Sequence, residues 1–378
     1  MVPPSQASQT PRKIRISIDG LGGEGGPQAI VGGMEKSARK NDDIKFVLHG
    51  QKAVFEPLVE RRPALADRTE IVDVDKIVSM DEKPSRALRQ GKGSSMWNAL
   101  ESVETGVAEA AVSCGNTGAL MAISMLRLRL AEGVDRPAIA VLWPSRNPAG
   151  YNVVLDVGAD VRADAADLLK FAIMGAAYAR HGLDVARPRV GLLNVGTEDH
   201  KGRTELREAA ALIEGAEGLG GFEYMGFVEG ADIFSTRVDL IVTDGFTGNV
   251  ALKTAEGTAS LIRDLTGQAF RHSWFSRVGA LFALTSLSRL RKRIDPRRVN
   301  GGVFLGLRGT VVKSHGSADA TGVSAAIKLA FVLAKSGFAE GIAARVASGA
   351  VALQDGGGGG EAGGAQRTGA CHAPHSSV

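Results

Sequence analysis

Short apolar runs rich in Val, Ile and Leu alternate along the chain with stretches whose apolar residues recur every three to four positions. The runs predict strands near 14–18, 44–48, 70–74, 109–113, 138–142, 152–155, 190–195, 223–228, 238–243 and 310–313, with helical patterns between them. Such alternation predicts an α/β fold built on a mostly parallel sheet with helices on both faces. Four strand-to-helix passages share one grammar: ISIDGLGGEGGPQAI (16–30), AAVSCGNTGALMAI (110–123), LLNVGTEDHKGRTEL (192–206) and LIVTDGFTGNVALK (240–253). In each, β-forming residues give way to a polar, Gly-containing loop and then to a helix opening. A parallel sheet gathers such loops at one edge. The expectation is one site rich in backbone N–H groups and helix N-termini, suited to an anion and above all to phosphate.

The strand grammar stops over 256–295, where two helical patterns, TASLIRDLTGQAF and SWFSRVGALFALTSLSRLRKR, predict an inserted helical hairpin. In the second pattern Trp274, Val278, Leu281, Leu284 and Leu287 recur at helical spacing, interrupted by Ser276, Arg277, Thr285 and Ser288. Such an amphipathic stripe suits a second subunit or a bilayer surface. The run RLRKRIDPRR (289–298) carries six basic side chains against one acid. It reads either as a solvated helix end or as a patch for an acidic partner: nucleic acid, anionic headgroups or an acidic protein. Residues 1–12 and the Gly-rich 354–378 read as flexible tails, leaving 13–353 as the α/β domain.

Hydrophobic content of 44% and charged content of 23% in 378 residues fit a soluble globular protein, and 5% aromatics argue against base-stacking surfaces. Cys114 and Cys371 are the only cysteines, so the chain has no disulfide framework and no paired-cysteine metal motif, and a cytoplasmic setting is expected. The first residues lack the apolar core of a signal peptide, and no run is long and apolar enough to span a bilayer, so any membrane contact should be peripheral.

The candidate chemistry lies in the loops. Gly20, Gly22 and Gly25 have dinucleotide-fingerprint spacing, yet the second strand ends in His49 and Gly50 rather than in a ribose-binding acid. The alternative is a tight turn capped by Asp19. Ser94 and Ser95 open a helix after Arg86, Arg89 and Lys92, either as caps or as phosphate ligands. Ser113, Gly115, Asn116 and Thr117 offer donors to an anion; Cys114 is a nucleophile if ionised, or a small buried residue. Asp244, Thr247, Asn249 and Lys253 repeat the pattern, and His200, Lys201 and His315 are the most versatile side chains.

The segments SCGNTGALM, LLNVGTEDHKG, VTDGFTGNVALK and GGVFLGLRGTVVKSHGSAD, in this order, resemble the bacterial phosphate acyltransferases of phospholipid synthesis over about residues 14–350. The resemblance implies a fold related to phosphotransacetylase and the isocitrate dehydrogenase group. It implies transfer of a fatty acyl group from acyl carrier protein thioester to inorganic phosphate, giving acyl phosphate for glycerol 3-phosphate acylation. It also implies a homodimer at the membrane periphery, near the downstream glycerol 3-phosphate acyltransferase. With no Walker A loop, zinc spacing, complete dinucleotide site or nucleic-acid motif in the sequence, no cofactor, metal or nucleic-acid partner is expected. Departures are Gly20, Leu21 and Glu24 in the first loop, Cys114 where Ala is usual, and Asp160 where Asn is usual. On this reading Lys201 clamps charge, while His200 orients phosphate or protonates the departing thiol; His315 is held in reserve. An NAD-dependent dehydrogenase and a non-catalytic lipid or carrier-protein binding module are the competing classes.

Overall fold

A computed structural model describes residues 13–275, positions 278, 279, 282, 283 and 285, and residues 301–339 and 341. The strands are β1 (Ile14–Asp19), β2 (Ile44–Gly50), β3 (Thr69–Asp73), β4 (Ala110–Ser113), β5 (Ala138–Pro144), β6 (Tyr151–Leu155), β7 (Arg189–Leu193), β8 (Glu223–Val228), β9 (Leu240–Val242), β10 (Gly302–Leu305) and β11 (Thr310–Lys313). All ten expected strands are present, and β10 is an addition. They form one sheet in the order β3-β2-β1-β4-β11-β10-β5-β6-β9-β7-β8.

Side chains of a strand alternate between faces, and here that alternation sorts the apolar residues into two cores. Ile16, Ile18, Val112, Val153, Leu155 and Val312 belong to one core, whereas Ala111, Val154, Phe304 and Val311 belong to the other. A single row of paired residues, Ile18–Val112–Val312–Val303–Ala140–Leu155–Val242–Leu192, crosses the sheet from β1 to β7. Every member faces the first core.

Strand direction changes along that row. β3, β2, β1, β4 and β11 are mutually parallel, β10 is antiparallel to both β11 and β5, and β5 is antiparallel to β6. From β6 through β9 and β7 to β8 the pairing is parallel again, now in the opposite sense. The four expected loops therefore do not gather at one edge of a uniform sheet. They divide two and two between the blocks.

The main helices are α1 (Gly26–Ala38), α2 (Lys52–Glu60), α3 (Pro84–Gln90), α4 (Ser95–Glu104), α5 (Thr117–Leu128), α6 (Ala165–Leu183), α7 (Thr204–Gly215), α8 (Gly245–Arg271) and α9 (Ala320–Lys335). Their starts follow side-chain chemistry: Ser94, Asn116, Asp164, Asp244 and Asp319 each accept a backbone N–H at the first turn of a helix. The first arm of the expected hairpin does not begin near 256. It is the outer part of α8, a continuous helix of 27 residues. The inner turns of α8 rest on the second core through Ala251, Leu252 and Ala255, while Phe246, Val250, Leu261, Ile262 and Leu265 are exposed. Most of the expected second arm, the basic run 289–298 and both expected tails lie outside the described residues. Among the described residues no helix is long and apolar enough to cross a membrane.

The buried helix α6 starts with a reciprocal cap: Asp164 Oδ1 accepts the Asp167 amide at 2.8 Å, and Asp167 Oδ2 accepts the Asp164 amide at 3.3 Å. Asp164→Ala removes one side of this cap and should lower stability by about 1 kcal/mol, read as a shift of the urea midpoint at unchanged slope. An unmoved midpoint would mean that packing alone fixes the start of α6.

Candidate active site

The first cluster is built on Asp19, the last residue of β1. Its buried carboxylate accepts Ser95 Oγ at 2.6 Å, Ser113 Oγ at 2.7 Å and the Gly22 amide at 3.1 Å. Burial pushes the Asp19 pKa up, and these donors pull against it. Ser113 Oγ in turn accepts the Gly115 amide at 3.0 Å. The loop after β11 closes the cluster, with the Glu24 amide on Gly316 O at 2.7 Å and the Ser314 amide on Ser113 O at 2.8 Å.

This packing explains the Gly spacing of the first loop. A Cβ on Gly22 would collide with the Asp19 carboxylate, and one on Gly25 would stand 2.5 Å from Ala318 O. The glycines admit chain against chain, with no dinucleotide needed. At the end of β2, His49 is likewise structural: Nε2 lies 3.1 Å from Ser17 Oγ and 3.0 Å from Ser102 Oγ, and burial lowers its pKa to about 4. The dehydrogenase reading loses its one motif.

Several expected ligands are already engaged. Asn116 Oδ1 caps α5 by accepting the Ala119 amide at 3.0 Å, and its Nδ2 donates to Met80 O at 2.6 Å and Glu82 O at 2.9 Å. Its side chain holds the 79–82 segment rather than offering donors to an anion. Ser113 and Ser95 donate to Asp19, and Ser94 caps α4 by accepting the Trp97 amide at 3.3 Å. What the 113–118 turn leaves open is Thr117, exposed at the first position of α5. Cys114 is 3% exposed, and burial pushes its thiol up to about 11, so it is neutral and no nucleophile at pH 7. His315 is exposed; its Nδ1 accepts the Ser317 amide at 3.3 Å, which leaves the proton of the neutral ring on Nε2.

The second cluster lies at the carboxyl ends of β6, β7 and β9. Asp156 accepts four backbone amides, from Ile139 at 2.8 Å, Gly158 at 3.1 Å, Ala159 at 3.0 Å and Asp160 at 2.9 Å. α8 begins against this turn, because Gly248 brings its backbone onto Asp156 O where any Cβ would clash. Asp244 caps α8, accepting the Thr247 amide at 2.8 Å and Thr247 Oγ1 at 3.0 Å, and pairs with Arg203. Burial opposes the Asp244 charge, but the Thr247 amide, the Arg203 guanidinium and the Thr247 hydroxyl outweigh it and hold the carboxyl below its usual range. Both Asp244 and Thr247 are thus architectural, and Arg203, which the sequence reading passed over, belongs with them.

The exposed members of this cluster are the versatile ones. Lys201 Nζ pairs with Glu198 at 2.7 Å, a hydrogen bond that raises the lysine pKa. His200 precedes it on the same exposed turn, its carbonyl accepting Arg207 Nη1 at 3.3 Å. The base of that turn is held by Asn194, whose Nδ2 donates to Lys201 O at 3.1 Å. Asn249 is exposed beside Gly158, and Lys253 pairs with Glu256 at 2.8 Å.

Residues 14–341 match a family described as fatty acid synthesis protein. A phosphate acyltransferase from Ruegeria sp. (strain TM1040) is 64% identical over 352 residues, 93% of each chain. One from Paracoccus denitrificans (strain Pd 1222) is 65% identical over 334 residues, 88% of this chain and 90% of its own. The chain belongs to the phosphate acyltransferase family. Among solved structures, EutD phosphotransacetylase from Staphylococcus aureus superimposes with a TM-score of 0.55 at 13% identity, covering 86% of this chain and 94% of its own. The kinship of fold expected from the sequence is therefore present.

In this phosphate acyltransferase fold the Arg203–Asp244 pair joins β7's loop to the start of α8. A carboxylate with a depressed pKa stabilises the fold above its unfolded pKa and loses that contribution as pH falls through the folded value. Arg203→Gln should therefore cost about 1–2 kcal/mol at pH 7, the guanidinium being partly exposed, and progressively less toward pH 3 as Asp244 takes up a proton. Urea unfolding at both pH values measures this; an equal loss at both would assign the effect to packing instead of charge.

Proposed function

We propose that the chain transfers a fatty acyl group from an acyl carrier protein thioester to inorganic phosphate. The observation that carries this reading is the 64% identity over 93% of the chain to a protein named phosphate acyltransferase. Two clusters of Gly-containing loops, helix N-termini and lysines are in keeping with an anionic substrate. A phosphate oxygen attacks the thioester carbon, forming the C–O bond and breaking the C–S bond. The proton of hydrogen phosphate then goes to the departing thiolate, so the products are acyl phosphate and free carrier thiol. Phosphate is itself the nucleophile, and the neutral, buried Cys114 is not needed as one. Catalysis then rests on positioning and on stabilising the tetrahedral oxyanion.

In this reading Lys201 exchanges Glu198 for phosphate, and His200 orients phosphate or protonates the thiolate. The acyl phosphate serves glycerol 3-phosphate acylation. The exposed apolar residues of α8, Phe246, Val250, Leu261, Ile262 and Leu265, suit a homodimer contact or the membrane surface, where the lipid product is handed on to a glycerol 3-phosphate acyltransferase. The setting is cytoplasmic at the membrane periphery.

The test is to incubate purified protein with acyl carrier protein thioester and phosphate and to follow free thiol and acyl phosphate. Phosphate-dependent release of both is expected; absence of both would sink the proposal. His200→Ala and Lys201→Ala should each lower turnover roughly tenfold or more, whereas Cys114→Ala should stay within about threefold of wild type. Near-wild-type rates for both loop variants would move the catalytic assignment elsewhere.

A further inference from the structure

Three lysines stand around the two loop clusters, and their partners differ. Lys201 and Lys253 each close an ion pair with a carboxylate three positions away along the chain, at 2.7 and 2.8 Å. Lys313 is the last residue of β11, paired in register with Ser113 of β4 and only partly exposed. Its Nζ donates to Ser314 O, and among the described residues no carboxylate forms an ion pair with it. The nearby Asp19 carboxylate is engaged by Ser95, Ser113 and Gly22.

Burial lowers the Lys313 pKa most; the charge of Asp19 opposes this, and that of Lys253 adds a smaller lowering. The Cys114 thiol beside it is neutral at pH 7 and adds no charge. A half-buried cation with no ion-pair partner among the described residues is an arrangement that a bound dianion relieves. The first turn of α5, beginning at Thr117, lies on the loop that follows β4, the neighbour of β11.

We propose that Lys313 is the fixed cation of the phosphate site, receiving inorganic phosphate together with the N–H groups at the start of α5, while Lys253 supplies the second positive charge. This rests on the acyl-transfer reading for its substrate and assigns that substrate a residue the loop motifs did not single out.

The experiment titrates the full-length protein with inorganic phosphate alone, by calorimetry or ³¹P line broadening, before any thioester is added. Lys313→Met should weaken phosphate binding roughly tenfold or more, with Lys313→Arg within about threefold of wild type. In turnover assays Lys313→Met should raise the phosphate KM and leave the KM for acyl carrier protein thioester unchanged. Because Lys313, flanked by Asp19, Lys253, Cys114 and His315, carries a depressed pKa, wild-type binding should fade at a pH below the ordinary lysine range. The Arg variant should hold its affinity there. A folded Lys313→Met protein with wild-type phosphate affinity overturns the inference, as does an identical alkaline profile for wild type and Lys313→Arg should the Met variant not fold. Phosphate binding that is lost in Lys313→Met, in a protein that releases no thiol from the thioester, would support the site and sink the acyl-transfer reading. Acyl phosphate formation with an unchanged phosphate KM in Lys313→Met would do the reverse.

Discussion

The carboxylate of Asp19 is the constraint on which one half of the site depends. A carboxyl group out of water is costly unless its oxygens are matched by partners, and Asp19 meets that demand with two serine hydroxyls and an amide drawn from α4, β4 and its own loop. Because those partners come from different elements, satisfying one group fixes three segments at once. The loop must then fold tightly over the carboxylate, which is why a Cβ on Gly22 has no room. Ser113, oriented by Asp19, accepts the Gly115 amide and so shapes the turn that opens α5. The buried carboxyl group thus sets the geometry of the turn above it.

The second half depends on the reversal of strand sense between β5 and β6. β10 is antiparallel to both neighbours, so β5 keeps the sense of β11; the antiparallel β5–β6 pair then points β6, β9 and β7 the opposite way. The helix that returns from β9 is α8, and its inner turns pack against the second core alongside residues of α4 and α5. Two blocks of opposite sense thus each carry a pair of the Gly-containing loops at their carboxyl ends.

The sequence pattern was enough for ten strands and for the loops that follow them, because each strand is an apolar run bounded by polar or Gly-rich turns. β10 escaped because Gly302–Leu305 is four residues long, buried throughout and without alternation, so periodicity had nothing to register. The reversal itself comes from the antiparallel pairing of β5 with β6, two expected strands whose residue pattern does not say whether they run parallel, and with it the division of the loops into two clusters was missed. Ser113 and Asn116 were legible as donors at a loop, yet residue type does not say where a lone pair or an N–H already points. Arg203 meets Asp244 across 41 positions, a pairing no local window contains. Lys313 stood in view beside His315, but a lysine at a strand end gains meaning only once its neighbours are known to be Asp19 and Cys114. The change of grammar near 256 was read as a boundary, whereas α8 continues through it; an exposed helical glycine such as Gly257 costs only about 1 kcal/mol.

The ion pairs themselves separate cations that can change partners from cations that cannot. Lys201–Glu198 and Lys253–Glu256 are local pairs whose lysine side chains are 43% and 59% exposed. Pairs that exposed add little to the fold, so on the proposed reading a phosphate dianion replaces either carboxylate at little cost to it. Asp244 is 3% exposed in its pair with Arg203; withdrawing that guanidinium would strand a buried charge, and the pair is therefore architecture. The same reasoning bears on the nucleophile. Ser95 and Ser113 donate their hydroxyl protons to a carboxylate held by three donors, and the Cys114 thiol is neutral up to about 11. None is a good attacking group at neutral pH, which leaves the attack to an oxygen that arrives with the substrate. On the proposed reading, a site whose exposed lysines carry exchangeable partners, and whose buried groups are held in place, orients an incoming anion instead of forming a covalent bond with the acyl group.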